Sequence, residues 1–236
     1  MNKANAINVK RFLKAIFIIG AFLLSAYIRP GIAQEKKVNI EVLIRETQRL
    51  SLEADRIMIV WWIPDEFWEA ALSQNGSLTK EQIEEFIALV RPYTLVAASD
   101  GKQGKFGATA YKSEDDVRKS LQFIDSTGTS HRPLNIHEAD AEIRGLLSLM
   151  KPILANSIGS AGENMHFFLF PASNKMGKKI AEAKKEGSFT VKLGSTEFKW
   201  RLPLGSLLPP KACPVDGEQL DGSWKFCPWH GNKLSG

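Results

Sequence analysis

The stretch RIMIVWWI, residues 56–63, decides the fold of this chain. All of its residues except Arg56 are apolar, and most are β-branched or aromatic. A continuous apolar run of this length is typical of a strand that is covered on both faces. We therefore predict that 56–63 is a central strand. Pro64 follows it and suits the first position of a helix, with Asp65 and Glu66 where the helix dipole favours anions.

Helical and strand patterns are interspersed on both sides of this strand, and neighbouring strands look like hairpins. This arrangement predicts an α+β fold with a single mixed, largely antiparallel sheet and flanking helices. Helices are predicted at 38–54, 64–72, 77–90, 113–121 and 137–159, with a basic helix at 174–187. Further strands are predicted within 92–111, 121–125 and 164–170, and a hairpin at 188–202.

Residues 1–33 have the pattern of a secretory signal peptide. Four basic residues precede an apolar run at 15–28, and the small residues Gly31 and Ala33 follow it. The run has 14 residues, whereas a membrane-spanning helix needs roughly 20. We therefore expect export to the periplasm or the extracellular space, with no stable membrane span after cleavage. An uncleaved membrane anchor is the alternative.

The positive charge of the chain belongs to this leader. The full sequence has 31 Lys and Arg against 26 Asp and Glu, but residues 1–33 hold five of the basic residues and no acidic one. After cleavage the two signs balance, so the basic composition does not indicate nucleic acid as a partner. The partner remains unknown, and we expect a protein or glycan of the envelope.

The exported part is long enough to bury a hydrophobic core without disulfides. We predict a globular domain at 34–202, a Pro-rich connector at 203–212 (PLGSLLPPKA) and a separate tail at 213–236. The chain has two cysteines, both in the tail. A disulfide-dense extracellular module would have many more.

The tail repeats one pattern, Cys-Pro, two variable residues and Gly, as CPVDG (213–217) and CPWHG (227–231). These pieces resemble the two knuckles of the zinc-ribbon family, where each knuckle reads Cys-Pro-x-Cys-Gly. The resemblance covers about 211–234 and implies a small β-hairpin unit that holds one structural zinc. The tail resembles a degenerate zinc ribbon, because Asp216 and His230 stand where the family has its second cysteines.

Three states of the tail are compatible with its residues. In the first, Cys213, Asp216, Cys227 and His230 bind one zinc ion. In the second, Cys213 and Cys227 form a disulfide, which an oxidising compartment favours. In the third, both thiols are free and no cofactor is present. A catalytic metal is not expected, since four protein ligands leave no position for water.

Two other groups of residues suggest chemistry. Asp65 and Glu66 lie among Trp61, Trp62 and Trp68, and carboxylates beside aromatic rings are typical of sugar-processing clefts. However, adjacent residues on a helix point about 100° apart, so these carboxylates would not face one bond together.

The second group comprises His131, His137 and His166, with Glu138 and Asp140 nearby in sequence. The spacing of these histidines matches no common ligand motif. We therefore assign no catalytic residue and expect a non-enzymatic binding or structural module of the cell envelope. The alternative is an envelope hydrolase that acts on a carbohydrate-like substrate through Asp65 or Glu66.

Overall fold

A computed structural model describes residues 37–53, 55–76, 78–158 and 160–235, and the predicted signal peptide lies outside these residues. The central strand is confirmed. Arg56–Ile63 forms β2, which pairs with β3 (Tyr93–Gln103) along its whole length and with β1 (Gln48–Glu53) from Arg56 to Trp61. Met58 and Val60 in β2 are fully buried.

The main sheet has five strands, and every pairing in it is antiparallel. Strand β3 is long enough to pair with β2 on one edge and with two strands on the other. Its C-terminal end pairs with β4 (Thr109–Tyr111), and its N-terminal end pairs with β7 (His166–Pro171).

The predicted α+β class and antiparallel pairing are confirmed, and the structure divides the strands of the body between two sheets. The second sheet has the order β6-β5-β8-β9, in which β8 and β9 are the hairpin predicted at 188–202. Its strands are β5 (Leu121–Ile124), β6 (Ser130–His131), β8 (Gly187–Leu193) and β9 (Thr196–Leu202).

Aromatic side chains join the two sheets. The ring of Phe189 on β8 lies between those of Phe123 and Trp200, with centroid distances of 4.7 and 4.9 Å, and Trp62 from β2 packs against Phe189 in a T-shaped arrangement with a centroid distance of 4.8 Å. All four side chains are buried. Because successive side chains of a strand point to opposite faces, Trp61 packs on the other side of the sheet, against Phe67.

Helices cover that other side. Thr79 and Gln82 form a capping box, in which each side chain accepts a backbone N–H of the other residue. None of the described helices is long and apolar enough to cross a membrane. The helices are α1 (Ile40–Thr47), α2 (Asp65–Asn75), α3 (Lys80–Val90), α4 (Glu114–Ser120), α5 (Ala141–Ile158) and α6 (Ser160–Glu163), with 3-10 turns at Ile136–Glu138 and Gly205–Leu207.

The helix predicted at 38–54 is wrong in its second half, because the chain leaves the helix after Thr47 and continues as β1. Hydrogen bonding to the neighbouring strand explains why the chain changes from helix to strand here. Strand β2 has a free edge that needs hydrogen-bond partners, and β1 supplies them. Trp61 also donates its Nε1–H to Thr47 Oγ1 at 3.0 Å, which fixes the point where the helix ends.

The basic helix predicted at 174–187 is also wrong, since this segment is an irregular loop up to β8. Asn174 Oδ1 accepts the backbone N–H groups of Met176 and Lys178, and Gly177 between them has a φ of 75°. A right-handed helix cannot contain that backbone angle. Ile180 then enters the core.

We predict that Phe123→Ala lowers the free energy of unfolding by about 3–5 kcal/mol, because it removes a fully buried ring from the stack between the sheets. The matched control is Phe106→Ala, whose ring is fully exposed in the β3–β4 turn. It should change stability by less than about 0.5 kcal/mol. Urea denaturation of both variants measures the difference, and equal effects would contradict the packing described.

Candidate metal centre in the C-terminal ribbon

The first knuckle, residues 213–217, lies at the tip of a hairpin. Strands β10 (Lys211–Ala212) and β11 (Gln219–Leu220) pair antiparallel on either side of it. The Cys213 N–H donates to Glu218 O, and the Gly217 N–H donates to Cys213 O, both at 2.9 Å. Gly217 has a φ of 77°, a conformation that glycine adopts without strain.

The second knuckle, residues 227–231, repeats these hydrogen bonds. The Cys227 N–H donates to Asn232 O at 2.8 Å, and the Gly231 N–H donates to Cys227 O at 2.9 Å. Gly231 has a φ of 69°, and Phe226 forms an antiparallel bridge with Lys233. The two knuckles are therefore two copies of one backbone structure.

The sequence repeat behind this symmetry is longer than the two five-residue pieces. KACPVDGEQLDG (211–222) and KFCPWHGNKLSG (225–236) share six of twelve positions when aligned at a constant offset of 14 residues. The shared residues include Leu220 and Leu234, which are buried with the two cysteines in a small core of their own. An alignment of the tail with itself would have identified both leucines, which the motif comparison missed.

Three side chains of the two knuckles converge. His230 Nδ1 lies 3.3 Å from Cys213 Sγ and 3.5 Å from Cys227 Sγ. Both cysteines are buried, whereas His230 is exposed. The sulfurs are near each other without being bonded, so both thiols are free in this structure. The cluster could hold a metal ion.

Backbone N–H groups donate to the sulfurs of both cysteines, but the pKa values of the two thiols shift in opposite directions. In each knuckle the N–H groups two and three residues after the cysteine donate to its sulfur. Burial raises the pKa of Cys213 above its ordinary value, and the Asp216 carboxylate adds to this effect because the thiol donates to it. Burial also raises the pKa of Cys227, but the backbone donors and the His230 ring outweigh it and hold that pKa low.

Asp216 lies beside the cluster. Its Oδ2 is 3.8 Å from His230 Nδ1, and its Oδ1 accepts the Glu218 N–H at 3.0 Å. The Glu218 N–H, followed by the Cys213 thiol, holds the pKa of Asp216 below its ordinary value. Of the four residues predicted as ligands, the structure thus brings three together and places the fourth at their edge.

The connector holds the tail (213–235), which we call the ribbon, against the globular body formed by the two sheets and their helices. The connector contains the 3-10 turn Gly205–Leu207, and Glu46 of α1 accepts the N–H groups of Gly205 and Ser206 at 2.9 and 3.1 Å. A side chain on Gly205 would overlap the carboxylate of Asp221 in the ribbon. Glycine at 205 therefore permits close contact between the connector and the ribbon.

Asp65 and Glu66 lie elsewhere, in a cleft of about 230 Å³ at one end of the main sheet. Burial raises the pKa of both carboxyl groups. The three tryptophans near them in sequence are buried: Trp61, Trp62 and Trp68. These rings are core residues and present no stacking face to a sugar.

The three histidines do not converge. His131 Nε2 pairs with Asp125 Oδ2 at 2.9 Å, His166 Nε2 lies 3.4 Å from Lys112 O, and His137 is exposed. Within the part of the chain that the structure describes, the ribbon cluster is the one group of three or more His, Cys, Asp or Glu side chains that could hold a metal ion.

Comparisons with known proteins add no relative. No family model, no curated protein and no solved structure matches the chain. The interpretation of the tail therefore depends on its residues and on the geometry described above.

The Asp125–His131 pair leads to a prediction about acid stability. Burial alone would raise the pKa of Asp125, but hydrogen bonds from Thr127, His131 and the Thr129 N–H outweigh it and hold the pKa well below its ordinary value. A carboxylate with a depressed pKa stabilises the fold above its unfolded-state pKa and loses that contribution as pH falls.

We therefore expect Asp125→Asn to cost about 1–3 kcal/mol near neutral pH. The difference from the parent protein should stay constant above about pH 5 and shrink steadily below about pH 4. Urea denaturation across this pH range tests the prediction. A difference that is the same at pH 7 and pH 3 would contradict the role assigned to the carboxylate.

Proposed function

We propose that this protein is an exported, non-enzymatic binding or structural module of the cell envelope, and that one structural zinc ion closes its C-terminal ribbon. The observation that carries the zinc proposal is the convergence of Cys213, Cys227 and His230 from two knuckles of the same backbone structure. Export is inferred from the sequence of residues 1–33.

The residues present fit zinc. Structural zinc takes four protein ligands, mainly Cys and His, and Asp is also accepted. Cys213, Cys227 and His230 would supply three of them, and Asp216 is the nearest candidate for the fourth. The pKa of Cys227 is held low by backbone N–H groups and the His230 ring, which favours the thiolate, the form that binds metal. Backbone N–H groups act in the same direction at Cys213, although burial keeps the pKa of that thiol raised.

The ribbon also has a physical need for a cross-link. Its own core consists of Cys213, Leu220, Cys227 and Leu234. So small a core cannot offset the entropy of ordering the segment, and units of this size are usually stabilised by a metal or by disulfides. Zinc would hold both knuckles in place, and with four protein ligands it would have no open position for catalysis.

Zinc explains more of the geometry than a disulfide does. A disulfide would use the two sulfurs alone, and would leave the positions of His230 and Asp216 without a role. The disulfide remains the competing state, because an exported protein enters an oxidising compartment. The two states exclude each other, since sulfurs bonded to each other are not thiolate ligands.

The non-enzymatic role is supported by the buried tryptophans and by the separation of the histidines. The hydrolase alternative has one observation in its favour. Asp65 and Glu66 line a cleft, and burial raises the pKa of each, as a general acid requires. They are, however, consecutive residues on one helix turn, which directs their side chains apart.

We expect the purified protein to contain about one zinc per chain, with both thiols protected from alkylation until a chelator is added. Cys213→Ser should lose the metal, because it removes a thiolate ligand. Val215→Ala changes an exposed side chain of the same knuckle and should keep the metal. Elemental analysis and thiol counting by mass spectrometry test this. Cys213 and Cys227 bridged in metal-free protein, or two reactive thiols without metal, would contradict the proposal.

Export makes a separate prediction. The protein recovered from the periplasm or the medium should begin near Gln34, because the small residues before it form the cleavage site. Leu24→Arg places a charge in the apolar run and should block processing, whereas Leu24→Ile should not. N-terminal sequencing measures the outcome. Unprocessed parent protein that stays in the cytosol would contradict export.

A further inference from the structure

The cleft that contains Asp65 and Glu66 has walls of opposite charge. One wall is the beginning of α2, which carries the two carboxylates. The facing wall is the segment 172–185, which contributes Lys179 and Lys184, together with Glu182 and Lys185, which pair with each other at 2.7 Å. Arg91 also lines the cleft and pairs with Glu84 at 2.9 Å. Strands β2 and β7 end here and β3 begins here, so the end of the main sheet forms the floor of the cleft.

The cationic wall is held in place by backbone hydrogen bonds. The Ala172 N–H donates to Pro92 O, and the Ile180 N–H donates to Ala172 O, both at 3.0 Å. The Leu204 N–H donates to Ala183 O at 2.8 Å. Ile180 and Ala183 are buried in the main core. This irregular segment therefore presents its lysines from a fixed backbone.

The negative charges of Asp65 and Glu66 have few close positively charged partners within the protein. The contact between Lys179 Nζ and Asp65 Oδ2 is long, at 3.9 Å. Among the described residues, no basic side chain lies within ion-pair distance of the Glu66 carboxylate. Burial, the largest influence on each, raises the pKa of both groups. A cationic group placed in the cleft would relieve this cost of desolvation.

We propose that this cleft binds a small zwitterion of the α-amino acid or short peptide class, with its ammonium group on Glu66 and its carboxylate on Lys184, while Asp65 and Lys179 line the same cleft. The inference names a ligand class for the binding role proposed above and does not depend on the ribbon metal. A volume of about 230 Å³ is below the roughly 300–1,000 Å³ of sites for larger ligands, so one amino acid or a dipeptide suits it.

Other ligand classes fit the cleft less well. A neutral sugar would leave the charges of both walls without a counter-charge, and the two aromatic rings at the cleft, Trp62 and Tyr93, are buried and half-buried. A simple anion would meet Asp65 and Glu66, and a metal cation would meet the lysines. Among the described residues, no group of three or more His, Cys, Asp or Glu side chains that could hold a metal ion lies at this cleft. A ligand with both charges matches both walls.

Titration of the full chain with glycylglycine tests the proposal, by calorimetry and by amide chemical shifts. N-acetylglycine, which lacks the ammonium group, and glycylglycinamide, which lacks the carboxylate, are the matched probes. We expect saturable binding of glycylglycine with a dissociation constant below about 10 mM, and at least a tenfold loss for each singly charged probe. No saturation, or equal affinity for all three probes, would overturn the proposal.

Variants locate the site. Glu66→Gln and Lys184→Met should each weaken glycylglycine binding at least tenfold. Glu69→Gln, an exposed position of the same helix outside the cleft, and Lys175→Met, an exposed position of the facing segment, should leave it unchanged. Urea midpoints confirm that each variant is folded. If Glu66→Gln and Lys184→Met bind as the parent protein does, the cleft is not the site.

Cys213→Ser tests whether ligand binding in the cleft is independent of zinc binding in the ribbon. Cys213→Ser should lose zinc and keep glycylglycine binding. Loss of both properties in a folded Cys213→Ser protein would contradict the independence of the cleft from the ribbon. A parent protein that holds zinc and fails to bind glycylglycine would overturn the cleft proposal alone.

Discussion

The structure depends on one constraint, which is that strand β2 must bury both of its faces. Its apolar residues cannot be left against water on either side, so the sheet needs a covering layer on each. Trp62 meets the aromatic stack of the second sheet, and Trp61 packs against helix α2. The edges of β2 need partners as well, and β1 and β3 provide them. The cleft follows from this arrangement, because α2 begins directly after β2 ends and places Asp65 and Glu66 at the rim of the sheet.

The ribbon is organised differently, by two copies of a short unit that meet at the cluster of two cysteines and one histidine. Each copy contributes a cysteine, a polar residue three positions later and a buried leucine. Two copies bring two sulfurs and one imidazole nitrogen to the same place. Asp216 and His230 stand beside the two cysteines as side chains that can also bind zinc but cannot form a disulfide. In an oxidising compartment this set of side chains leaves one possible disulfide in the ribbon, between Cys213 and Cys227.

Local signals were sufficient to predict much of the fold. The strand at 56–63, the cap at Thr79 and the hairpin at 188–202 each follow from residues close in sequence. The strand at 48–53 could not be predicted, because its conformation depends on the free edge of β2. The charge pattern of the loop after β7 predicts a helix, whereas Gly177 and the buried Ile180 determine the path of this segment. The two walls of the cleft come from segments that are more than 100 residues apart in the sequence, so a local sequence pattern cannot predict that they lie close together.

The central claim is that zinc, held by side chains of both knuckles, closes the ribbon. X-ray absorption at the zinc edge of the purified protein tests it most directly. The account predicts two sulfur neighbours at about 2.3 Å and nitrogen or oxygen neighbours at about 2.0–2.2 Å from the metal. A spectrum with light atoms alone around zinc, or with four sulfur neighbours, would contradict it.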